Sequence, residues 1–304
     1  MKIVYAGSPQ YAVAPLKALV GAGKQIVAVV TQPDKPTGRK KILTPTPVKS
    51  YALSLGIPVI DYPKIRDHAD ELRALGADLM ITCAYGQILT QPILDAFGQG
   101  VYNLHASLLP LFRGASPIQS AILAGCEYTG VTVMKTELAL DCGGILLVKR
   151  ASVSGKTCGE LSEELSALSA QAALEAVDLL ERGENQLLVQ DEARATYCKK
   201  ITKADADVDF TKSGEEVARL INAMSPSPAA YCNLSGSPVN LLRATPCEGS
   251  GEVGTVLSAD KRGIVVACGK GAVNVTLIQF SGGKPICAAD AVNGRKIKAG
   301  DHLD

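Results

Sequence analysis

Apolar positions along this chain follow two rhythms, and the change between them falls near residue 225. Before it, short apolar runs at 2–6, 26–31, 58–60, 78–83, 100–105, 130–135 and 145–150 read as strands. Stretches of helical spacing intervene at 11–20, 48–55, 67–75 and 116–124, a long helix is entered through 156–160 and runs to 182, and another occupies 214–224. After residue 225 come five short strands separated by glycine turns, at 231–234, 239–244, 254–257, 263–267 and 272–280. The first helix shows how the limits are read: Val13, Leu16, Leu19 and Val20 share a face, and Gly21 and Gly23 stop it. The long helix presents Leu161, Leu165, Leu168, Ala172, Leu179 and Leu180, behind a Thr157–Glu160 pair at capping-box spacing.

Strand, helix, strand in this succession builds a parallel sheet with helical crossovers. The expected fold class is α/β, a Rossmann-like, mainly parallel sheet with helices on both faces, followed by a small C-terminal β-barrel of OB-like kind. A chain of 304 residues has room for two domains. The polar stretch 190–209 reads as a linker between a catalytic domain over 1–189 and a barrel domain over 210–304. The first turn, Gly7-Ser8-Pro9-Gln10-Tyr11-Ala12, lacks the second and third glycines that let a pyrophosphate approach the backbone, which argues against a nicotinamide dinucleotide.

Charge changes this picture only locally. Basic and acidic residues number 31 and 30, so bulk charge does not recruit nucleic acid. The exception is 32–49, which holds four prolines and Lys35, Arg39, Lys40, Lys41 and Lys49 against the single carboxylate of Asp34. It reads as a surface loop, either a solvated connection or a basic finger that touches phosphates. The nine cysteines form no C-x-x-C pair and have no His at metal spacing, as expected of reduced thiols in a cytoplasmic protein. The N-terminus has no signal-peptide pattern, and no apolar run approaches the ~20 residues of a membrane span.

The candidate chemistry centres on Asn103-Leu104-His105 and on Asp141 some way downstream. Two residues apart on a strand, Asn103 and His105 point to the same face. An Asn amide can donate to an oxygen that becomes negative during attack on a carbonyl, and a His can exchange protons near neutral pH. Asp141 could orient that imidazole or accept a proton through it. The plain alternatives are a satisfied polar pair at a strand end and, for Asp141, a turn residue ahead of glycines. Strand 78–83 ends at Ala84-Tyr85-Gly86-Gln87, so this turn and residues 103–110 should border one crevice at the carboxyl edge of the sheet.

These residues fall into a familiar pattern. Gln32-Pro33-Asp34, Gly38-Arg39, Pro45-x-Pro47-Val48-Lys49, Ala84-Tyr85-Gly86-Gln87, Asn103-x-His105-x-Ser107-Leu108-Leu109-Pro110-x-x-Arg113-Gly114, Thr129-Gly130-Val131-Thr132, Leu140-Asp141-x-Gly143 and Ala288-Ala289-Asp290 with Asn293-Gly294 span nearly the whole chain. Together they resemble the methionyl-tRNA formyltransferases. The resemblance implies formyl transfer from 10-formyltetrahydrofolate, a co-substrate, to the amino group of initiator methionyl-tRNA, without a metal, by a monomer in a bacterial-type cytoplasm. It implies Asn103, His105 and Asp141 as the catalytic set; the chemistry of these groups then puts Asn103 and a protonated His105 on the oxyanion, with Asp141 holding the histidine charge and, through water, helping to remove the proton of the attacking amine. It further implies Ser107, Leu108, Leu109, Pro110, Tyr85 and Gly86 at the folate, and Arg39, Lys40 and Lys41 at the acceptor end of the tRNA, with the barrel along its backbone. Two positions depart from the family pattern: Gly144 stands where a second carboxylate is usual, and Ser227 where the Trp of Pro-Trp-Pro is usual. A sugar-nucleotide or small-metabolite formyltransferase, a 10-formyltetrahydrofolate hydrolase and a non-catalytic tRNA-binding protein are the alternatives at this point.

Overall fold

The computed structural model describes residues 1–38 and 40–304. In chain order come β1 (Lys2–Gly7), α1 (Val13–Gly21), β2 (Gln25–Val30), β3 (Lys35–Thr37), β4 (Ile42–Thr44), α2 (Pro47–Ser54), β5 (Val59–Ile60), α3 (Ala69–Ala74), β6 (Leu79–Cys83), α4 (Gln91–Leu94) and β7 (Gly100–His105). There follow β8 (Arg113–Gly114), α5 (Pro117–Leu123), β9 (Tyr128–Lys135), β10 (Ile145–Ser152), α6 (Cys158–Glu181) and β11 (Tyr197–Cys198). Seven of these strands form one sheet, ordered β10-β9-β7-β6-β1-β2-β5. β5, β2, β1, β6 and β7 run parallel, and β9 turns antiparallel against β7. The central strands bury Ile3, Val4, Tyr5, Leu79, Met80 and Ile81, as expected where both faces of a parallel sheet are covered. In register, Gly7 lies beside Cys83 and Thr82 beside Asn103, so the carboxyl ends of β1, β6 and β7 are neighbours.

The basic stretch 32–49 is more ordered than its prolines suggest. β3 and β4 pair antiparallel through Lys35–Thr44, Pro36–Leu43 and Thr37–Ile42. Lys49, read above with the free cations of the loop, instead places its Nζ 2.7 Å from Asp34 and 2.8 Å from Asp61, which ties down the base of this hairpin. Arg39 lies outside the described residues.

By packing, the chain divides into two units. Met1–Gly114, Thr129–Ser152 and Ser162–Cys198 form the first, and Ala115–Tyr128, Val153–Leu161 and Lys199–Asp304 the second. Backbone hydrogen bonds explain why two early segments join the later unit: Val153 donates to Glu127, and Gly159 donates to Ser225. The border between Cys198 and Lys199 falls inside the polar stretch 190–209, which carries a short strand and two helical turns.

The second unit adds α7 (Gly214–Met224), β12 (Ala230–Leu234), β13 (Ser237–Cys247), β14 (Val256–Asp260), β15 (Gly263–Ala267), β16 (Ala272–Phe280), β17 (Ile286–Cys287) and α8 (Ala288–Asn293). α7 begins at a capping box in which Ser213 and Glu216 satisfy each other's backbone amides. It sends Val217, Ile221 and Met224 into a core with Val239, Leu241, Val266, Val275 and Ile278. The sheet runs β12-β13-β16-β15-β14, and the last residues of the chain bridge its two edges. Leu303 pairs with Leu234 at the end of β12, and His302 pairs with Thr255 just before β14. These bonds cover edge amides that would otherwise be unpaired. Leu303 is buried, so Leu303→Ala is expected to destabilise the protein by about 2–4 kcal/mol, read as a lower urea midpoint. An unchanged midpoint would mean that this closing segment carries no packing energy.

Candidate active site

The site forms where β7 ends. Asn103 and His105 lie on the same face of that strand, as the two-residue spacing requires, opposite Met134 and Thr132 of β9. On the other side, Thr82 of β6 donates from Oγ1 to Asn103 Oδ1 at 2.9 Å. That bond occupies the acceptor end of the amide and turns its NH₂ outward, and among the described residues no protein group accepts from Nδ2. Asn103 is therefore presented as a donor.

His105 is buried, and its ring is held at one nitrogen. Nε2 lies 2.9 Å from the carbonyl oxygen of Phe112, and a carbonyl only accepts, so Nε2 carries a proton. Nδ1 faces Asp141 Oδ2 at 3.6 Å, close enough for charge attraction and too far for a hydrogen bond. The Asp141 carboxylate is held in turn by the backbone amide of Gly114, which donates to Oδ2 at 2.8 Å. Asp141 has φ +48°, a left-handed conformation that costs on the order of 1 kcal/mol away from glycine, so its loop is held from outside.

Residues 107–114 form a rigid turn that supplies these contacts. Thr132 Oγ1 donates to the Ser107 carbonyl at 2.7 Å and accepts from Leu109 N at 3.1 Å, while Ser107 Oγ donates to the Leu111 carbonyl at 2.6 Å. Phe112 N donates to Thr196 Oγ1, and Arg113 N to the Thr196 carbonyl, both at 2.8 Å. Gly114 has φ +119°, and a Cβ there would overlap the Cys198 carbonyl oxygen, so only glycine can carry the amide that reaches Asp141.

The structure thus brings Asn103, His105 and Asp141 together, with Ser107 to Pro110 directly beyond His105. Ser107 spends its hydroxyl within the turn. Tyr85 and Gly86 sit at the neighbouring end of β6, but the Tyr85 ring points into the core with Ile65, Ile93 and Phe97. Among the described residues its buried hydroxyl has no partner, and burial drives its pKa well above the usual range. The carbonyl of Tyr85 is what this turn presents, accepting from Gln32 Nε2 at 3.2 Å and Ser8 Oγ at 3.3 Å. Lys40 and Lys41 are exposed on the hairpin. At Gly144, a Cβ would meet Leu187 Cβ at 2.8 Å, so a leucine fills the space that a second carboxylate would need. Cys142, next to Asp141, has its thiol pushed up by burial and by Glu137, which keeps it protonated near neutral pH.

Sequence reasoning passed over three residues. Arg113, only 1% exposed, directs its guanidinium at Gln190 and Glu192, and Gln190 reaches the loop of Asp141. Arg113 was visible as part of the turn motif, whereas Gln190 and Glu192 lay in a stretch whose polarity resembled a linker. Among the described residues, no three His, Cys, Asp or Glu side chains gather to hold a metal, and no helix is long and apolar enough to cross a membrane. An open cavity of about 570 Å³, lined by Gln91, Asp95, Gly100, Lys135 and Glu137, lies at the amino end of β7, away from His105.

Comparison with known proteins also divides the chain in two, but into contiguous parts. Residues 1–177 match the formyl transferase family, and residues 200–296 match the formyl transferase C-terminal domain. The chain is 46% identical over 299 residues to a methionyl-tRNA formyltransferase of Stutzerimonas stutzeri, covering 97% of this chain and 95% of the relative. It is 42% identical to one of Chromobacterium violaceum, covering 100% of this chain and 99% of the relative. Among solved structures, an N-formyltransferase from Helicobacter canadensis, in complex with folinic acid and dTDP-3-aminofucose, superposes with a TM-score of 0.70 at 16% identity, over 90% of this chain and 98% of that one.

The hydrogen bond from Arg113 holds Glu192 below the usual carboxylate range, and Glu192 in turn raises the guanidinium pKa. A depressed folded pKa adds stability above the unfolded value and loses it as pH falls through the folded one. Glu192→Gln is therefore expected to lower the thermal midpoint most at neutral pH, with the gap to wild type closing below about pH 4. A gap that stays constant with pH would show that the ion pair contributes nothing.

Proposed function

The chain belongs to the methionyl-tRNA formyltransferase family, and on that premise we propose that it moves the formyl group of 10-formyltetrahydrofolate onto the α-amino group of methionine esterified to initiator tRNA. The observation that carries the reading is the convergence of an unengaged Asn103 NH₂, His105 Nδ1 and the Asp141 carboxylate at one strand end.

Chemical roles follow from which atoms are already engaged. The Phe112 carbonyl accepts a hydrogen bond from His105 Nε2, so Nδ1 is the nitrogen free to exchange protons, and His105 serves in this proposal as the base rather than as a cation on the oxyanion. As the methionyl amine attacks the formyl carbon, the carbonyl oxygen becomes negative, and Asn103 Nδ2 donates to it. Nδ1 receives the proton that the attacking nitrogen sheds, and the nearby Asp141 carboxylate stabilises the imidazolium. Collapse of the tetrahedral intermediate breaks the bond to N10 of the folate, which takes the proton and leaves as a neutral amine. Holding both substrates at the carboxyl edge of the sheet supplies proximity.

Donor and acceptor have different neighbours in this reading. Ser107 to Pro110 and the Tyr85–Gly86 backbone flank the folate. The exposed Lys40 and Lys41, with Arg39, meet the acceptor end of the tRNA, a role supported by their charge and by the family pattern. Lys49 is excluded from phosphate contact by its two carboxylate partners.

The test is transfer of labelled formyl from 10-formyltetrahydrofolate to methionylated initiator tRNA, with methionylated elongator tRNA and water as competitors. Product on the initiator is expected, and His105→Ala should lower kcat by about 10²–10⁴-fold. Release of labelled formate without a tRNA product would overturn the acceptor, and full turnover by His105→Ala would overturn the chemistry.

A further inference from the structure

Gln190 is 6% exposed, and every hydrogen-bonding position of its amide is used. Oε1 accepts from Arg113 Nε at 3.1 Å and from Nη2 at 2.8 Å, while Nε2 donates to the carbonyl oxygens of Asp141 at 2.9 Å and Gly143 at 2.8 Å. Two acceptor sites and two donor hydrogens are all that an amide has, so this orientation is the only one that satisfies both sides. Arg113 is equally committed. Its Nη1 donates to Glu192 Oε2 at 2.9 Å and Tyr197 Oη at 3.3 Å, and Nη2 also donates to Glu192 Oε1 at 2.6 Å. With the two bonds to Gln190, these account for all five guanidinium hydrogens. At the buried pair of Arg113 and Gln190 the polar groups have no spare capacity, which specifies one geometry there.

This network ends on the atoms of the reaction site. The residues flanking Arg113 hold the two reacting side chains, since the Phe112 carbonyl accepts from His105 and the Gly114 amide donates to Asp141. The side chain of Arg113, through Gln190, grips the backbone on both sides of Cys142. One turn thus fixes His105 directly and Asp141 from both its carboxylate and its main chain.

We propose that Gln190, together with Arg113, is a positioning residue that sets the Asp141 carboxylate against His105 Nδ1. This rests on the catalytic reading of that pair given above. Neither side chain touches a reacting atom, so each acts on turnover through the loop it holds.

Gln190→Glu isolates the effect. It keeps an acceptor for Arg113 but sets an oxygen against the carbonyls of Asp141 and Gly143, so the link to the loop is lost while the buried guanidinium stays paired. The expected result is a kcat lower by about 10–100-fold, with KM for both substrates within about threefold of wild type. Hydrogen exchange at the Gly114 amide, measured by NMR without substrate, should accelerate about tenfold or more while amides of β6 keep their wild-type rates. Arg113→Lys keeps the charge but cannot serve Gln190 and Glu192 together, and it carries the same expectation should Gln190→Glu fail to fold. A kcat within about threefold of wild type, unchanged Gly114 exchange, or equal acceleration at Gly114 and β6 would overturn the proposal. Absence of formyl transfer by the wild type would overturn the functional reading alone, because the exchange measurement needs no substrate.

Discussion

The separation of 3.6 Å between His105 Nδ1 and Asp141 Oδ2 depends on three residues of backbone, Phe112 to Gly114, that bond to both side chains at once. Without that bridge the two groups belong to parts of the chain 36 positions apart, one at the end of a buried strand and the other on a turn with an unfavourable left-handed backbone. Neither location selects the other. The bridge is itself fixed by Thr196 from a later part of the chain and by the absence of a side chain at Gly114.

Much of this arrangement is legible in the pattern of residues, for physical reasons that differ from place to place. The parallel strands announce themselves because burial on both faces demands unbroken apolar runs, as in Leu79–Cys83. Asn103 and His105 share a face because the strand period is two. The helix Gly214–Met224 has the limits its spacing predicts, since Ser213 and Glu216 mark its start. The hairpin at 35–44 is hidden for the opposite reason: its strands are exposed throughout, so no apolar alternation reveals them. Lys49 looked like one more surface cation, because nothing in its neighbourhood indicates that Asp61 reaches it.

The division of the chain shows a further limit. Composition suggests a contiguous cut, but packing draws Ala115–Tyr128 and Val153–Leu161 to the later unit through contacts that are remote in sequence. Gln190 and Glu192 sit in the same polar stretch that composition assigns to a connection, and their importance arises only from Arg113, 77 and 79 residues away. Tyr85 teaches the same lesson in reverse. Its place at a strand end is right for a crevice, yet its ring turns to the core and leaves only the backbone to the site.

We propose that His105 and Asp141 act as one unit. Single-turnover formyl transfer to methionylated initiator tRNA by Asp141→Asn, by His105→Ala and by the double variant tests this most directly. With Asp141 acting through the imidazole, as proposed, the double variant is expected to be no slower than His105→Ala alone, within about threefold. Losses that multiply in the double variant would contradict the unit and show that each residue contributes separately.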